Sequence, residues 1–234
     1  SVVALRPGLP FPGKGEQETP LDDIKGVSVV YQSVLSLPKI SNWIDPILWA
    51  NAAEPAVRAA IAGREHDSLI DAHFLYPDAA AAVILGRRLN IPVVSSARGS
   101  DVNVKCENPV MRRWVRWVVE HSAAVITVSQ ALRDVLESYG SPVAKVQVIR
   151  NGVDGQRFRQ RDKVECRRRF GVDGTVIATV GHLLEDKGQR LTVEVLPKLP
   201  GLTLLLVGEG PDEQYLRKRA ITLGVADRVV FAGQ

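Results

Sequence analysis

Three groups of residues in this sequence combine charge and backbone freedom in patterns that suit chemistry on a phosphorylated ligand. The stretch Val180-Gly181-His182-Leu183-Leu184-Glu185-Asp186-Lys187-Gly188 leaves an apolar run and leads into a helical pattern. Gly181 lets the backbone turn sharply, and Lys187 then stands at a helix mouth, where a cation and backbone N–H groups share a diphosphate. The competing reading is an ordinary strand-to-helix loop with a surface lysine. In Val207-Gly208-Glu209-Gly210-Pro211-Asp212, the Gly-x-Gly spacing permits close backbone approach, and Pro211 suits a first helical position. Asp212 and Glu213 would repel a phosphate there, so this loop is expected to touch a base or ribose; a plain tight turn is the alternative. The third group, His73, Arg98 and Asp101 with Ser129 nearby, follows three further apolar runs. Converging strand ends would bring His73, Arg98 and Asp101 to one cleft wall, whereas a structural histidine and a simple Arg98–Asp101 ion pair are the bland alternatives.

The elements that position these groups follow from hydrophobic periodicity. Ser1 to Leu5 reads as a strand already in progress, residues 6–25 as a Pro- and Gly-rich loop, 27–31 as a short strand and 47–61 as a helix. Strands at 68–72, 92–96, 124–128 and 146–149 then alternate with helices at 78–89, 109–121 and 130–139. That alternation implies parallel strands joined by crossover helices. Asn151-Gly152-Val153-Asp154 closes a first domain, residues 1–154, and residues 155–172 read as a charged connection in which Asp162-x-x-Glu165 caps a short helix. A second α/β rhythm fills residues 173–234: strands 175–180, 202–207 and 228–231, helices 188–196 and 212–223. So small a second sheet is expected to need more strands, and both ends of the sequence read as truncated.

Bulk properties exclude more than they select. The chain has 234 residues, 45% hydrophobic and 24% charged, with a formal net charge of +4, an ordinary globular composition. Cys106 and Cys166 have neither metal nor redox spacing, which favours a reducing compartment. No apolar run is long enough to span a bilayer, and the N-terminus lacks the pattern of a signal peptide. Helix 109–121 puts Met111, Trp114, Val115 and Val118 on one face and Arg112, Arg113 and Arg116 opposite. This is either a buried face backed by a solvated one, or a basic surface that meets anionic lipid headgroups.

Five stretches in order resemble family 4 retaining glycosyltransferases of the GT-B fold. They are Asp71-Ala72-His73 with Pro77; Ser96-Ala97-Arg98-Gly99-Ser100-Asp101; Val125 to Ser129; Val148 to Asp154 with Phe158; and Val180-Gly181 through Lys187-Gly188, continued by Leu206 to Pro211 and Arg228 to Gly233. The resemblance implies two Rossmann-like α/β domains with parallel sheets flanked by helices, the second incomplete, donor bound by the second domain and acceptor by the first. It implies donor binding by Gly181, His182, Lys187, Gly208, Glu209 and Gly210, with Lys187 on the diphosphate, and catalytic roles for His73, Arg98 and Asp101. His182 stands where many members have arginine, and Arg98 where many have histidine; Arg-Gly-Ser-Asp is similar to cell-surface polysaccharide enzymes.

The implied reaction is retaining transfer from a nucleotide sugar to a glycan or lipid-linked acceptor. It would use no essential metal and no cofactor, with the leaving diphosphate stabilised electrostatically. The expected location is cytoplasmic, with peripheral contact at an anionic inner membrane face. The family's N-terminal glycine-rich loop and its Glu-x7-Glu segment are not in this sequence, so the chain alone is expected not to turn over. A sugar-nucleotide epimerase shares the frame and is the nearest alternative. A nicotinamide oxidoreductase fails because Glu213 occupies the third glycine position. A non-catalytic nucleotide-binding module is a further alternative; a nucleic-acid partner is disfavoured, because aromatics do not interleave with the arginine clusters.

Overall fold

The computed structural model of the protein describes residues 2–8, 27, 29–35 and 41–233. The chain divides into two compact units, Ser1–Gly152 and Val153–Gln234.

In the first unit β1 (Val2–Gly8) and β2 (Val29–Leu35) pair in parallel as a two-stranded sheet of their own. β1 thus continues through residues 6–8, expected as loop, and β2 lies later than the strand expected at 27–31; residues 9–26 lie outside the described residues. A second sheet contains β3 (Ile70–His73), β4 (Val93–Ala97), β5 (Ala124–Thr127) and β6 (Val146–Val148), parallel and in sequence order. Helices α1 (Asp45–Ile61), α2 (Ala80–Leu89), α3 (Ser100–Asn103), α4 (Pro109–His121) and α5 (Gln130–Ser138) complete the unit. His73 is therefore the last residue of its strand rather than the first beyond it. The Ser100-Asp101 segment, which follows the strand end, is a one-turn helix.

Local chemistry sets the helix ends. Asn108 accepts hydrogen bonds from the N–H groups of Val110 and Met111 at the start of α4, where Pro109 needs no partner. The Ser129 hydroxyl caps α5 through the Leu132 N–H. α2 starts two residues later than expected. Pro77 holds Tyr76 extended (φ −139°, ψ 131°), and a single π-type turn over Leu75–Ala79 precedes the α-helix. The helix that follows is apolar nearly all round because it is covered on two sides. Ala80, Ala82 and Val83 face the core over the four-stranded sheet. Ala81 and Leu85 pack with Trp49, Ala50 and Ala53 of α1 and Val34 of β2. A helix caught between two layers keeps only its last turn, Arg87 and Arg88, in solvent, and its run of alanines lets both layers approach closely.

The second unit holds α6 (Lys163–Phe170), β7 (Thr175–Val180), α7 (Gln189–Val195), β8 (Leu202–Val207), α8 (Glu213–Thr222) and β9 (Val229–Gly233). Its sheet is parallel in the order β7-β8-β9. The Asp162 carboxylate accepts from the Glu165 N–H at the start of α6, the cap that the sequence pattern implies. Leu204 and Leu206 of β8, buried with Val193, Leu196 and Leu216, anchor α7 and α8 on one face of the sheet. β7 is the exposed edge, with Val180 79% accessible. Among the described residues, no helix is long and apolar enough to cross a membrane.

Gly86 tests the packing of α2. A Cβ there would sit 2.4 Å from Val93 Cγ2 of β4 and 2.7 Å from the Ile91 carbonyl oxygen. Gly→Ala in an open helix gains about 1 kcal/mol, but an overpacked core loses about 1–3 kcal/mol. Gly86→Ala is expected to lower stability in urea denaturation; a stabilised variant would contradict this packing.

Candidate functional site

Parallel strands deliver their carboxyl ends to one edge of each sheet, and the residues singled out in the sequence lie there. In the first unit β4 ends at Ala97, and the chain turns through Arg98 and Gly99 (φ 136°) into α3. Asp101 is buried, and its carboxylate accepts N–H groups from Gly99 (2.8 Å), Arg98 (3.1 Å) and, from the loop after β3, Leu75 (2.8 Å). The Arg98–Asp101 contact is thus made through the arginine's backbone and is not a side-chain ion pair. Tight turns leave N–H groups without helical or sheet partners, and an inward-facing carboxylate satisfies three of them while tying two strand-end loops together. Phe74, between β3 and Leu75, adopts φ 68°, an unfavourable conformation that this tie helps to hold.

The Arg98 side chain turns the other way. Its Nε and Nη2 lie 3.2 and 2.7 Å from His73 Nδ1, and its Nη1 donates to Asn151 Oδ1 at 3.0 Å. Arginine cannot accept a hydrogen bond, so Nδ1 is the acceptor and the imidazole proton sits on Nε2, 3.5 Å from Asp71 Oδ2. His73 and Arg98 are therefore brought together, with Asp71 and Asn151 as partners, while Asp101 lies beneath them as a backbone tie. Cys106 is buried against the Asp101 carbonyl, and burial, reinforced by the Asp101 charge, pushes its thiol up to about 11, which suits packing and not nucleophilic work.

In the second unit the two glycine-containing loops lie against each other. Gly181 N–H donates to the Val207 carbonyl (2.9 Å), Leu183 N–H to Glu209 (3.0 Å), and Asp212 N–H back to Leu183 (3.1 Å). A Cβ on Gly208 would lie 2.1 Å from the Gly181 oxygen, and one on Gly210 would lie 2.3 Å from the Leu183 oxygen. The close approach that Gly-x-Gly permits is thus to the neighbouring loop. The first loop tightens into a 3₁₀ turn at Glu185–Lys187, and Gly188 (φ 77°) starts α7. His182, Lys187 and Glu209 are exposed. Lys187 Nζ lies 3.1 Å from Asp186 Oδ2, with both side chains at least half exposed, a pair worth little that a phosphate can replace. Beside the second loop a hollow of about 440 Å³ lies between Phe170 and Arg169 of α6 and Phe231 and Gly233 of β9.

The family profile Glycosyltransferase Family 4 matches residues 6–157, and Glycosyl transferases group 1 matches residues 161–234. The chain belongs to glycosyltransferase family 4. It is 24% identical over 183 residues to N-acetyl-alpha-D-glucosaminyl L-malate synthase of Bacillus anthracis, covering 75% of this chain and 48% of that protein. It is 34% identical over 149 residues to the GDP-mannose-dependent alpha-(1-6)-phosphatidylinositol monomannoside mannosyltransferase of Mycobacterium tuberculosis, covering 60% of this chain and 38% of that protein. Anabaena HepE in complex with UDP matches with TM-score 0.67 at 20% identity, over 88% of this chain and 56% of that one, a likeness of fold. The chain spans about half the length of the first of these relatives and of HepE. Its two α/β units, with parallel sheets flanked by helices, are those of the GT-B frame of the family.

Within this family 4 chain, the structure adds residues that sequence reading did not select. Asn151, read as a domain-crossing marker, is a side-chain partner of Arg98, and Asp71 faces His73. Arg190 joins Glu185 of the first loop to Asp212 of the second, a contact across 22 residues that no spacing signals. Arg112 of α4, expected on the solvent side, donates to the Cys106 carbonyl (2.8 Å) and lies over the Tyr139 ring. Of the three arginines, Arg113 and Arg116 are therefore the exposed pair.

Asp78 lies in the turn before α2, partly buried near Asp101. Burial, opposed by its own backbone hydrogen bond and reinforced by the Asp101 charge, raises its carboxyl to about 6. A carboxyl raised in the folded state binds its proton more tightly than in the unfolded chain, so this group lowers stability as pH rises from about 4 through 6. Asp78→Asn is expected to be near neutral at pH 4 and to stabilise by about 1–3 kcal/mol at pH 7. Urea denaturation at the two pH values checks this; an equal effect at both would count against it.

Proposed function

We propose that this chain is part of a retaining glycosyltransferase that moves a sugar from a nucleotide-sugar donor to a glycan or lipid-linked acceptor in cell-surface polysaccharide synthesis. The observation that carries the reading is the exposed Lys187 at the end of a 3₁₀ turn, on a loop locked by backbone hydrogen bonds to the Gly208–Asp212 loop. A fixed cation beside the leaving diphosphate lowers the cost of separating charge as the anomeric C–O bond breaks. The names of the relatives support a nucleoside diphosphate here, since one uses GDP-mannose and HepE is bound to UDP. His73 and Arg98, held together at the strand ends of the first unit, are proposed to face the acceptor and the reacting sugar, with no metal or cofactor required. Lys187→Ala is expected to weaken UDP or GDP binding by about 1.5–3 kcal/mol, the range for a hydrogen bond to a charged group. Calorimetry with a folded variant of unchanged affinity would remove Lys187 from the site. A new glycosidic product, rather than an epimerised sugar nucleotide, separates this reading from the epimerase alternative.

Peripheral contact with an anionic membrane, on its cytoplasmic face, is part of the proposal. The surface of α4 supports it: exposed Arg113 and Arg116 flank Trp114 and Trp117, which are partly buried against the core and meet edge to face, and the Trp114 Nε1 donates to the backbone of the exposed Trp43. Indole rings and arginines together suit the headgroup layer. Binding to vesicles containing phosphatidylglycerol is expected to fall with added salt and with Arg113→Glu/Arg116→Glu, as screening over about 8–10 Å requires. Salt-insensitive binding would point to a purely apolar contact.

A further inference from the structure

We propose that Arg190 is a positioning residue of the donor site, holding the 3₁₀ turn that carries Lys187 against the second loop. The inference rests on reading the first loop as diphosphate-binding, and it assigns a role to a cation that does not itself touch the ligand. Arg190 lies in the first turn of α7, three residues after Lys187. Its Nε and Nη2 donate to Asp212 Oδ2 and Oδ1, both at 2.7 Å, a bidentate pair. Its Nη1 lies 2.8 Å from Glu185 Oε1, and its guanidinium plane covers the Tyr215 ring at 4.3 Å.

Each of its three nitrogens thus has a carboxylate oxygen within 2.8 Å, and one face meets an aromatic ring. Arg190 is held by two carboxylates, whereas Lys187 has the exposed Asp186 as its side-chain partner. The two cations, Lys187 on the loop and Arg190 on the helix that follows, therefore divide the work: Arg190 is committed to structure and Lys187 is presented to solvent.

The geometry explains what the commitment achieves. Glu185 begins the 3₁₀ turn and Lys187 ends it, with the Lys187 N–H donating to the Leu184 carbonyl. Asp212 ends the second loop, and its own N–H donates to Leu183 of the first. The Asp212 carboxylate is nearly covered, and its bond to Arg190 holds it below the usual carboxylate range. Arg190 therefore closes a ring of contacts running from Leu183 through Glu185, Arg190 and Asp212 back to Leu183. Lys187 is carried on that ring. A lysine at position 190 could reach one carboxylate but not bridge both, because its single ammonium lacks the planar fork.

The test is a double-mutant cycle read by UDP and GDP affinity on this chain. Two groups that act through one another are non-additive, whereas independent ones add. Arg190→Ala and Arg190→Lys are each expected to weaken nucleotide binding about tenfold, and adding Lys187→Ala to either should leave affinity within about threefold of Lys187→Ala alone. Arg219→Ala is the control. It breaks a similar bidentate pair with Glu194 (2.5 and 2.8 Å) between α7 and α8 and should lower the melting temperature while leaving affinity unchanged. Glu185→Ala leaves the Arg190–Asp212 pair intact, so it keeps the test decisive if Arg190→Ala does not fold, and it should show the same non-additivity with Lys187→Ala. Fully additive losses, or unchanged affinity in the folded Arg190 and Glu185 variants, would overturn the positioning role alone. Failure of the unsubstituted chain to bind either nucleotide would overturn the donor-site reading and this inference with it.

Discussion

Parallel strand pairing is the constraint from which the rest of this protein follows. A parallel strand cannot return through a tight turn, so each must be followed by a crossover that carries the chain back. Every strand of a sheet then releases its loop at the same edge. His73 at the end of β3, Arg98 after β4 and Asn151 beyond β6 meet for that reason, although 78 positions separate the first from the last. Gly181 and Gly208 meet at the ends of β7 and β8 in the same way.

Crowding loops at one edge creates a second problem, since each loop carries backbone N–H groups with no regular partner. The first unit answers it with a buried aspartate that joins adjacent loops, and in the second a buried aspartate joins them through a side chain. Asp101 gathers N–H groups from the loops after β3 and β4. Asp212 takes a guanidinium that also reaches the loop after β7. In each case one carboxylate is committed inward while a neighbouring cation, Arg98 or Lys187, is left exposed. Rigid support with an accessible charge is the arrangement electrostatic catalysis requires, because dipoles and charges fixed beforehand need no reorganisation during the reaction. Membership in glycosyltransferase family 4 gives that arrangement a chemical context.

Much of this was legible in the sequence. The strand and helix rhythm, the Asp162 cap and the apolar face of α4 all follow from spacing of neighbours along the chain, where local geometry dominates. Departures fell where tertiary contacts override local preference. β1 extends into a segment of Pro and Gly because β2 offers it hydrogen-bond partners, register for register. Arg112 leaves the polar face of its helix because a carbonyl and an aromatic ring lie within its reach.

The sequence by itself determined the α/β class, the positions of the chemically capable residues and the family resemblance, because these depend on periodicity and on residue type. Only the tertiary structure decided what those residues do for one another. Gly208 and Gly210 read as room for a ligand, yet the atoms a side chain would strike belong to Gly181 and Leu183. Asp101 read as a cleft-wall residue, with an ion pair to the Arg98 side chain as the alternative, yet its carboxylate faces the backbone beneath it. Arg190 had no signal at all, since its carboxylate partners lie 5 and 22 positions away in opposite directions along the chain. Spacing in sequence records which side chains are near neighbours only within one helix or strand; between loops, proximity is set by how the sheet brings its strand ends together.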